Sequence, residues 1–167
     1  MLQTVNRIID RAAEWTVAIL FMGLVLTGGL QVFCRFALNY PLPWSEEVQI
    51  FGHVWIVFLT IPIAYNRGSH ILMNILLERL PLSVQRAIAI AVDIMWLWIG
   101  GSIVIFSMRL VRVAAFQLSP ALEIPMSYIY TGLVIGGGYL TLVAVRKLVA
   151  HTRGANGAPA AAVEDPL

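Results

Sequence analysis

The chain has 167 residues, of which 59% are hydrophobic and only 12% are charged. A water-soluble fold of this length cannot bury so much apolar side chain, so the composition excludes ordinary soluble and disordered classes. The eleven Lys and Arg residues exceed the nine Asp and Glu residues by two and form no single basic stripe. We therefore expect an integral membrane protein with lipid as a partner and no nucleic-acid partner.

Four apolar stretches are long enough to cross a bilayer as helices, because a hydrocarbon core of about 30 Å needs roughly 20 helical residues. They cover residues 15–34, 48–66, 87–108 and 124–145. The sequence thus predicts an all-α fold with a four-helix transmembrane domain over residues 1–150. Residues 151–167 are small, polar and proline-containing, and we expect them to form a disordered cytoplasmic tail.

The basic residues that flank the spans predict the orientation of the chain, because cationic segments resist translocation. Eight of them fall on one side, namely Arg7, Arg11, Arg67, Arg79, Arg86, Arg146, Lys147 and Arg153. The other side has only Arg35, Arg109 and Arg112. This asymmetry predicts that the N and C termini both lie in the cytoplasm.

The connection between spans two and three carries its own apolar pattern. Apolar residues recur there at three- and four-residue spacing from Ile71 to Leu80, before Pro81 interrupts the pattern. This spacing predicts a short amphipathic helix in the cytoplasmic interface. Its apolar face could rest on lipid or against another subunit.

One histidine and one acid lie inside the predicted spans, His53 in the second and Asp93 in the third. An unpaired intramembrane charge is costly, so Asp93 is either a relay for protons or sodium or a hydrogen-bonded acid that joins two helices. Counting residues from the span boundaries separates His53 and Asp93 by roughly 13 Å in depth. A partner for Asp93 in another chain is therefore at least as good a candidate as His53.

Charged residues also cluster near the predicted outer surface. Glu46 and Glu47 occupy the first turn of the second helix, where they suit its positive dipole end and could pair with Arg35 or another subunit. Arg109 and Arg112 are three residues apart and share one face of the third helix. They could bind phosphate headgroups or contact an acidic protein surface.

The spans carry no pattern expected for a cofactor. A b-type haem needs two histidines at similar depth, and only His53 lies inside a span. Neither metal-ligand spacing nor a phosphate-binding loop occurs in the sequence. Gly132 and Gly136 form a small-residue face that favours close helix packing over a ligand role. We therefore expect no cofactor in this chain.

Three motifs mark the connections between the spans. The second span opens with W-x-E-E at Trp44, Glu46 and Glu47, and closes with a basic-histidine turn at Arg67 and His70. An S-P-x-L-x-I-P segment before the fourth span comprises Ser119, Pro120, Leu122, Ile124 and Pro125. Their order and spacing resemble the small membrane subunit, or Q subunit, of tripartite ATP-independent periplasmic (TRAP) transporters, over residues 6–148.

The resemblance implies a subunit of a bacterial inner-membrane complex and not an enzyme. In such transporters a soluble periplasmic protein captures an organic acid, and a large multi-spanning subunit moves it inward with an elevator-like motion driven by sodium. The small subunit would brace the large one, which would hold the sodium. The candidate partner contacts are Trp44, Glu46, Glu47, Arg67, His70, Arg109, Arg112, Ser119, Pro120, Pro125, Gly132 and Gly136.

Two other classes remain open on the residues alone. A homo-oligomeric four-helix exporter could use Asp93 as its proton site, although such exporters carry a glutamate inside the first span and Glu14 lies at its edge. A membrane anchor of a redox or signalling complex would have a similar composition. Transport by the isolated chain would indicate the first class, and a bound haem or flavin would indicate the second.

Overall fold

A computed structural model describes residues 2–67 and 81–152 of the protein. These described residues form four helices, namely α1 (Leu2–Ala37), α2 (Pro43–Asn66), α3 (Leu82–Ala114) and α4 (Ser127–Thr152). All four are long and apolar enough to cross a membrane, and the described residues form no β-strand. The all-α fold with four spans is thereby confirmed. His70, the predicted interfacial helix and the tail beyond Thr152 lie outside the described residues.

The start of α2 is set by proline chemistry. Pro43 occupies the first helical turn, where its fixed φ is already helical and its missing N–H would have had no partner. Leu42 precedes it in an extended conformation. The Ser45 hydroxyl donates a hydrogen bond to the Leu42 carbonyl at 2.6 Å, and Ser45 is fully buried. Residues 43–47 therefore extend the second helix beyond its predicted apolar span, which begins at residue 48.

The fourth helix begins at Ser127, three residues after the predicted start of the span at residue 124, because the segment before it forms a separate hydrogen-bonded turn. Leu118 and Pro125 form an isolated antiparallel bridge, and the Ser119 N–H donates to the Ile124 carbonyl at 2.9 Å. Glu123 has a positive φ of 54°. A residue before proline is also disfavoured in the helical region, which keeps Ile124 out of α4.

The helices pack in the order α1, α2, α4, α3. Helix α2 contacts α1 and α4, and α3 packs mainly against α4. Helix α4 is accordingly the most buried span, whereas none of the apolar window of α1 is buried within the chain. The buried core is a cluster of Tyr65, Tyr139, Leu140, Val143 and Ala144, at the end of the bundle where α4 terminates.

Glycines allow α4 to approach its neighbours closely. A Cβ on Gly132 would lie 2.9 Å from the Trp55 ring, and a Cβ on Gly136 would lie 2.5 Å from the Phe58 carbonyl oxygen. Both separations are too short for a side chain in the present packing: the Trp55 ring fills the space at Gly132, and α2 and α4 meet backbone to backbone at Gly136. The small-residue face predicted from the sequence is thus used for packing within this chain.

Candidate interaction site

Glu47 joins the start of α2 to the segment before α4. Its carboxylate accepts a hydrogen bond from the Ser119 hydroxyl, and the Ala121 and Leu122 amides donate to it at 2.8 and 2.9 Å. Ser119 is buried, with 2% of its surface exposed. The W-x-E-E and S-P-x-L-x-I-P motifs therefore form one structural unit, in which a single carboxylate receives three donors.

The remaining outer candidates are exposed. Trp44 and Pro120 lie at the surface, and so do Arg109 and Arg112, while Pro125 is half-buried. The Arg35 pairing considered from the sequence is not formed, because Arg35 makes no ion pair with any described residue. The side chains of Trp44, Arg109 and Arg112 form no hydrogen bond or ion pair with the Glu47 unit, so they remain available for contact with lipid or another protein.

Asp93 is paired inside this chain. It is 3% exposed, and the Tyr65 hydroxyl donates to its Oδ1 at 2.5 Å. His151 Nδ1 lies 2.6 Å from the other carboxylate oxygen. The acid therefore joins α3 to α2 and α4, and His53 is not among its partners. Of the two alternatives drawn from the sequence, this arrangement is the hydrogen-bonded acid that joins helices, and not an unpaired relay for protons or sodium.

Lys147 reinforces the Asp93 cluster. Its ammonium group donates to the Tyr65 carbonyl and sits 4.2 Å from the centre of the Tyr65 ring. Such a cation over an aromatic face is attractive, more so where water is excluded. The Trp96 ring packs against Tyr65 from α3, with ring centres 5.1 Å apart. Tyr65 is thus fixed from two sides while its hydroxyl binds Asp93.

A second acid organises the same end of the bundle. Asp10 of α1 accepts hydrogen bonds from the Tyr139 hydroxyl at 2.8 Å and from Asn66 Nδ2 at 2.9 Å. Arg146 forms an ion pair with it at 3.2 Å. Asp10 therefore links α1 to α2 and α4. Close by in the chain, Arg67 and Glu14 form an exposed ion pair at 2.6 Å.

Sequence reasoning missed most of these partners. Asp10, Tyr65 and His151 lie near helix ends that were assigned to membrane boundaries or to the tail, whereas Tyr139 lies in the middle of α4. A usable signal existed, because α1 and α4 both carry polar residues at helical spacing just beyond their apolar runs. His53, by contrast, is exposed on α2, and its Nδ1 lies 3.1 Å from the Gln49 carbonyl oxygen.

Comparison with known proteins identifies the family to which the sequence of this chain is similar. A sequence model described as "Tripartite ATP-independent periplasmic transporters, DctQ component" matches residues 24–154. The chain belongs to this family. The matched region contains all three motifs and three of the four helices in full.

Individual relatives carry consistent names. The chain is 30% identical over 112 residues to the isethionate TRAP transporter permease protein DctMQ of Oleidesulfovibrio alaskensis, and the match covers 66% of this chain but only 18% of that relative. It is 25% identical over 155 residues to a TRAP transporter small permease protein of Haemophilus influenzae, covering 89% and 92% of the two chains. It is 24% identical over 147 residues to the sialic acid TRAP transporter small permease protein SiaQ of Vibrio cholerae, covering 88% and 85%.

DctQ membership decides several predictions made from the residues. The chain is a multi-pass membrane protein and a small permease component of a TRAP transporter, and it is not an enzyme. The resemblance drawn from the three motifs is thereby confirmed. Membership also decides against the homo-oligomeric exporter and the anchor of an unrelated complex.

Proposed function

We propose that this DctQ component braces a large multi-spanning permease subunit during sodium-driven, binding-protein-dependent uptake of an organic acid. A single observation carries the proposal, namely that Asp10 and Asp93 are both engaged in bonds between helices of this chain. Acids held in this way suit a rigid support better than a transport path. The sodium and substrate sites would then belong to the large subunit.

We propose further that the protein lies in the bacterial inner membrane with both termini in the cytoplasm. The end of the bundle that carries Asp10, Arg67, Arg146 and Lys147 is then cytoplasmic, and the Glu47 unit faces the periplasm. A C-terminal fusion to a fluorescent protein that matures only in the cytoplasm should fluoresce. A periplasmic phosphatase fused at the same point should stay inactive, and the reverse result would invert the topology.

On the outward side, we place Trp44, Arg109 and Arg112 near the docking position of the periplasmic binding protein. Their exposure supports this placement, because no described residue forms an ion pair with either arginine. Charge reversal of both arginines should lower uptake without changing substrate preference. Unchanged uptake at normal membrane levels would instead assign the pair to lipid headgroups.

The bracing role is tested by uptake into proteoliposomes. Vesicles with this chain alone should take up no organic acid, even with the binding protein and a sodium gradient. Vesicles that also contain the large subunit should take it up, and omission of this chain should remove most of that uptake. Sodium-driven transport by the chain alone would contradict the proposal.

A further inference from the structure

One line along α2 exposes polar side chains at membrane depth. Glu46, His53 and Thr60 are all exposed and lie seven residues apart, which is about two helical turns. Ile50 and Val57 are exposed on the same line between them. An open groove of about 460 Å³ runs beside it, lined by Glu46, Gln49, Ile50, His53 and Val54. We call this surface the α2 groove.

The hydrogen bonds of the α2 groove fix which atoms remain open. Gln49 Nε2 donates to Gln31 Oε1 at 2.7 Å, and Gln31 Nε2 donates to Glu46 Oε1 at 3.3 Å. The Gln49 carbonyl oxygen near His53 can only accept, so Nδ1 of His53 carries a proton in this contact, and Nε2 of the neutral ring is an acceptor. Among the described residues, Glu46 Oε2, Gln49 Oε1 and His53 Nε2 receive no donor. The groove is therefore rich in open acceptors and includes a carboxylate.

Lipid does not satisfy these acceptors. His53 lies ten residues into α2 and five residues inside the apolar span that begins at residue 48, so it is about 8 Å within the hydrocarbon core. Acyl chains offer no donors, and polar groups at such depth normally face protein or a water-filled cavity. A second groove of about 360 Å³, lined by Phe58, Trp98, Phe106 and neighbouring apolar residues, has the character that lipid tails suit.

A second copy of the chain is a poor occupant of the α2 groove. Two copies with the same orientation in a membrane are related by an axis along the membrane normal, so each residue faces its own counterpart at the same depth. Glu46 would then oppose Glu46, and His53 would oppose His53. Acceptors would meet acceptors, and like charges would meet across the interface.

We propose that the α2 groove docks a transmembrane helix of the large permease subunit, and that this helix presents hydrogen-bond donors, with a Lys or Arg opposite Glu46. This inference rests on the proposed function, because it needs a large subunit. The open acceptors of the groove support it, because neither lipid nor a second copy of the chain supplies donors to them. So does the Oleidesulfovibrio alaskensis relative, in which the region similar to this chain makes up 18% of one longer permease protein.

Photo-crosslinking in the intact complex tests the surface. The photoreactive residue p-benzoyl-phenylalanine would replace Ile50, His53 or Val57 on the α2 groove line, and Trp98 or Phe106 on the second groove as matched controls. The complex would be irradiated in its native membrane, and adducts would be identified by mass. We expect large-subunit adducts from the three α2 positions and none from the two controls.

Each outcome bears on one claim. Adducts only from Trp98 or Phe106, or no large-subunit adduct from α2 while the large subunit still co-purifies, overturn the docking surface but leave the bracing role intact. Adducts between two copies of this chain also overturn it. Failure of the unsubstituted chain to co-purify the large subunit counts against the bracing role itself.

A second measurement tests the donor chemistry. His53→Leu removes the acceptor, and we expect it to weaken binding between the detergent-solubilised subunits by about threefold to twentyfold. His53→Gln keeps an acceptor and should retain most of the affinity, whereas Trp98→Leu should leave it unchanged. Equal affinities for His53→Leu and the unsubstituted chain would contradict the claim that the partner helix donates a hydrogen bond to His53.

Discussion

The Glu47 carboxylate at the start of α2 accepts the hydroxyl hydrogen of Ser119, which lies 72 residues further along the chain. Two amides of the same segment donate to this carboxylate. One side chain thereby closes the connection between α3 and α4 onto α2. Glu47 belongs to the W-x-E-E motif and Ser119 to the S-P-x-L-x-I-P motif, by which the chain resembles TRAP small subunits. Both motifs therefore have a structural role before any partner binds.

Removal of the Glu47 carboxylate should therefore destabilise the isolated chain. Glu47→Ala leaves the Ser119 hydroxyl and two amides without their acceptor, so its unfolding temperature in detergent should fall more than that of Ser119→Ala. Glu46→Ala, one residue earlier, is the matched control, because Glu46 is exposed and accepts a single hydrogen bond. Equal unfolding temperatures for the Glu46 and Glu47 variants would contradict this role.

The Asp93 cluster predicts a separation of stability from transport. Asp93→Leu removes the acceptor of the Tyr65 hydroxyl and the partner of His151, and should cost about 1–3 kcal/mol in unfolding free energy. Asp93→Asn retains an acceptor oxygen and should cost less. Uptake by the complete complex should persist in the Asn variant. Loss of uptake with normal levels of complex would instead make Asp93 a proton or sodium relay.

The approach of α2 to α4 makes Gly136 intolerant of a side chain. Gly136→Ala would push a methyl group against the Phe58 backbone, so the helices must separate, at about 1–3 kcal/mol. Gly138→Ala is the matched control, because its Cβ meets nothing within 4 Å and alanine favours a helix by about 1 kcal/mol over glycine. Opposite stability changes in a denaturant titration are expected. A neutral Gly136→Ala would show that this contact is loose.

The Arg67–Glu14 pair should contribute little to folding. Their side chains are 65% and 37% exposed, and an exposed ion pair is typically worth less than about 1 kcal/mol. Arg67→Ala and Glu14→Ala should therefore change the unfolding free energy by similar small amounts. If Arg67 also contacts a partner, only its variant should reduce the recovered large subunit. A large loss of stability in either variant would indicate a buried role.

The four spans could be predicted because their physical basis is local. Each needs an apolar run long enough to cross hydrocarbon, and such a run is visible in any window of about 20 residues. Helix ends were less predictable, since polar and small residues continue each helix beyond its apolar part. His151 illustrates this, because it lies in α4 although the sequence assigned it to a disordered tail.

The side-chain clusters could not be predicted for a different reason. Depth counting compared Asp93 with His53 alone, because His53 was the only other Asp, Glu, Lys, Arg or His residue inside a predicted span, and Tyr65 was not considered as a partner. The actual partners, Tyr65 and His151, lie at the ends of α2 and α4, and the packing order α1, α2, α4, α3 brings them to Asp93. Nothing in the local sequence encodes that order. The Glu47–Ser119 bond depends on the same packing.

Affinity purification of the tagged chain from its native membrane, in mild detergent and followed by mass identification, tests the bracing role most directly. We expect one large multi-spanning protein to be recovered in about equal amount with this chain. Recovery of the chain alone, as a dimer or tetramer, would contradict it.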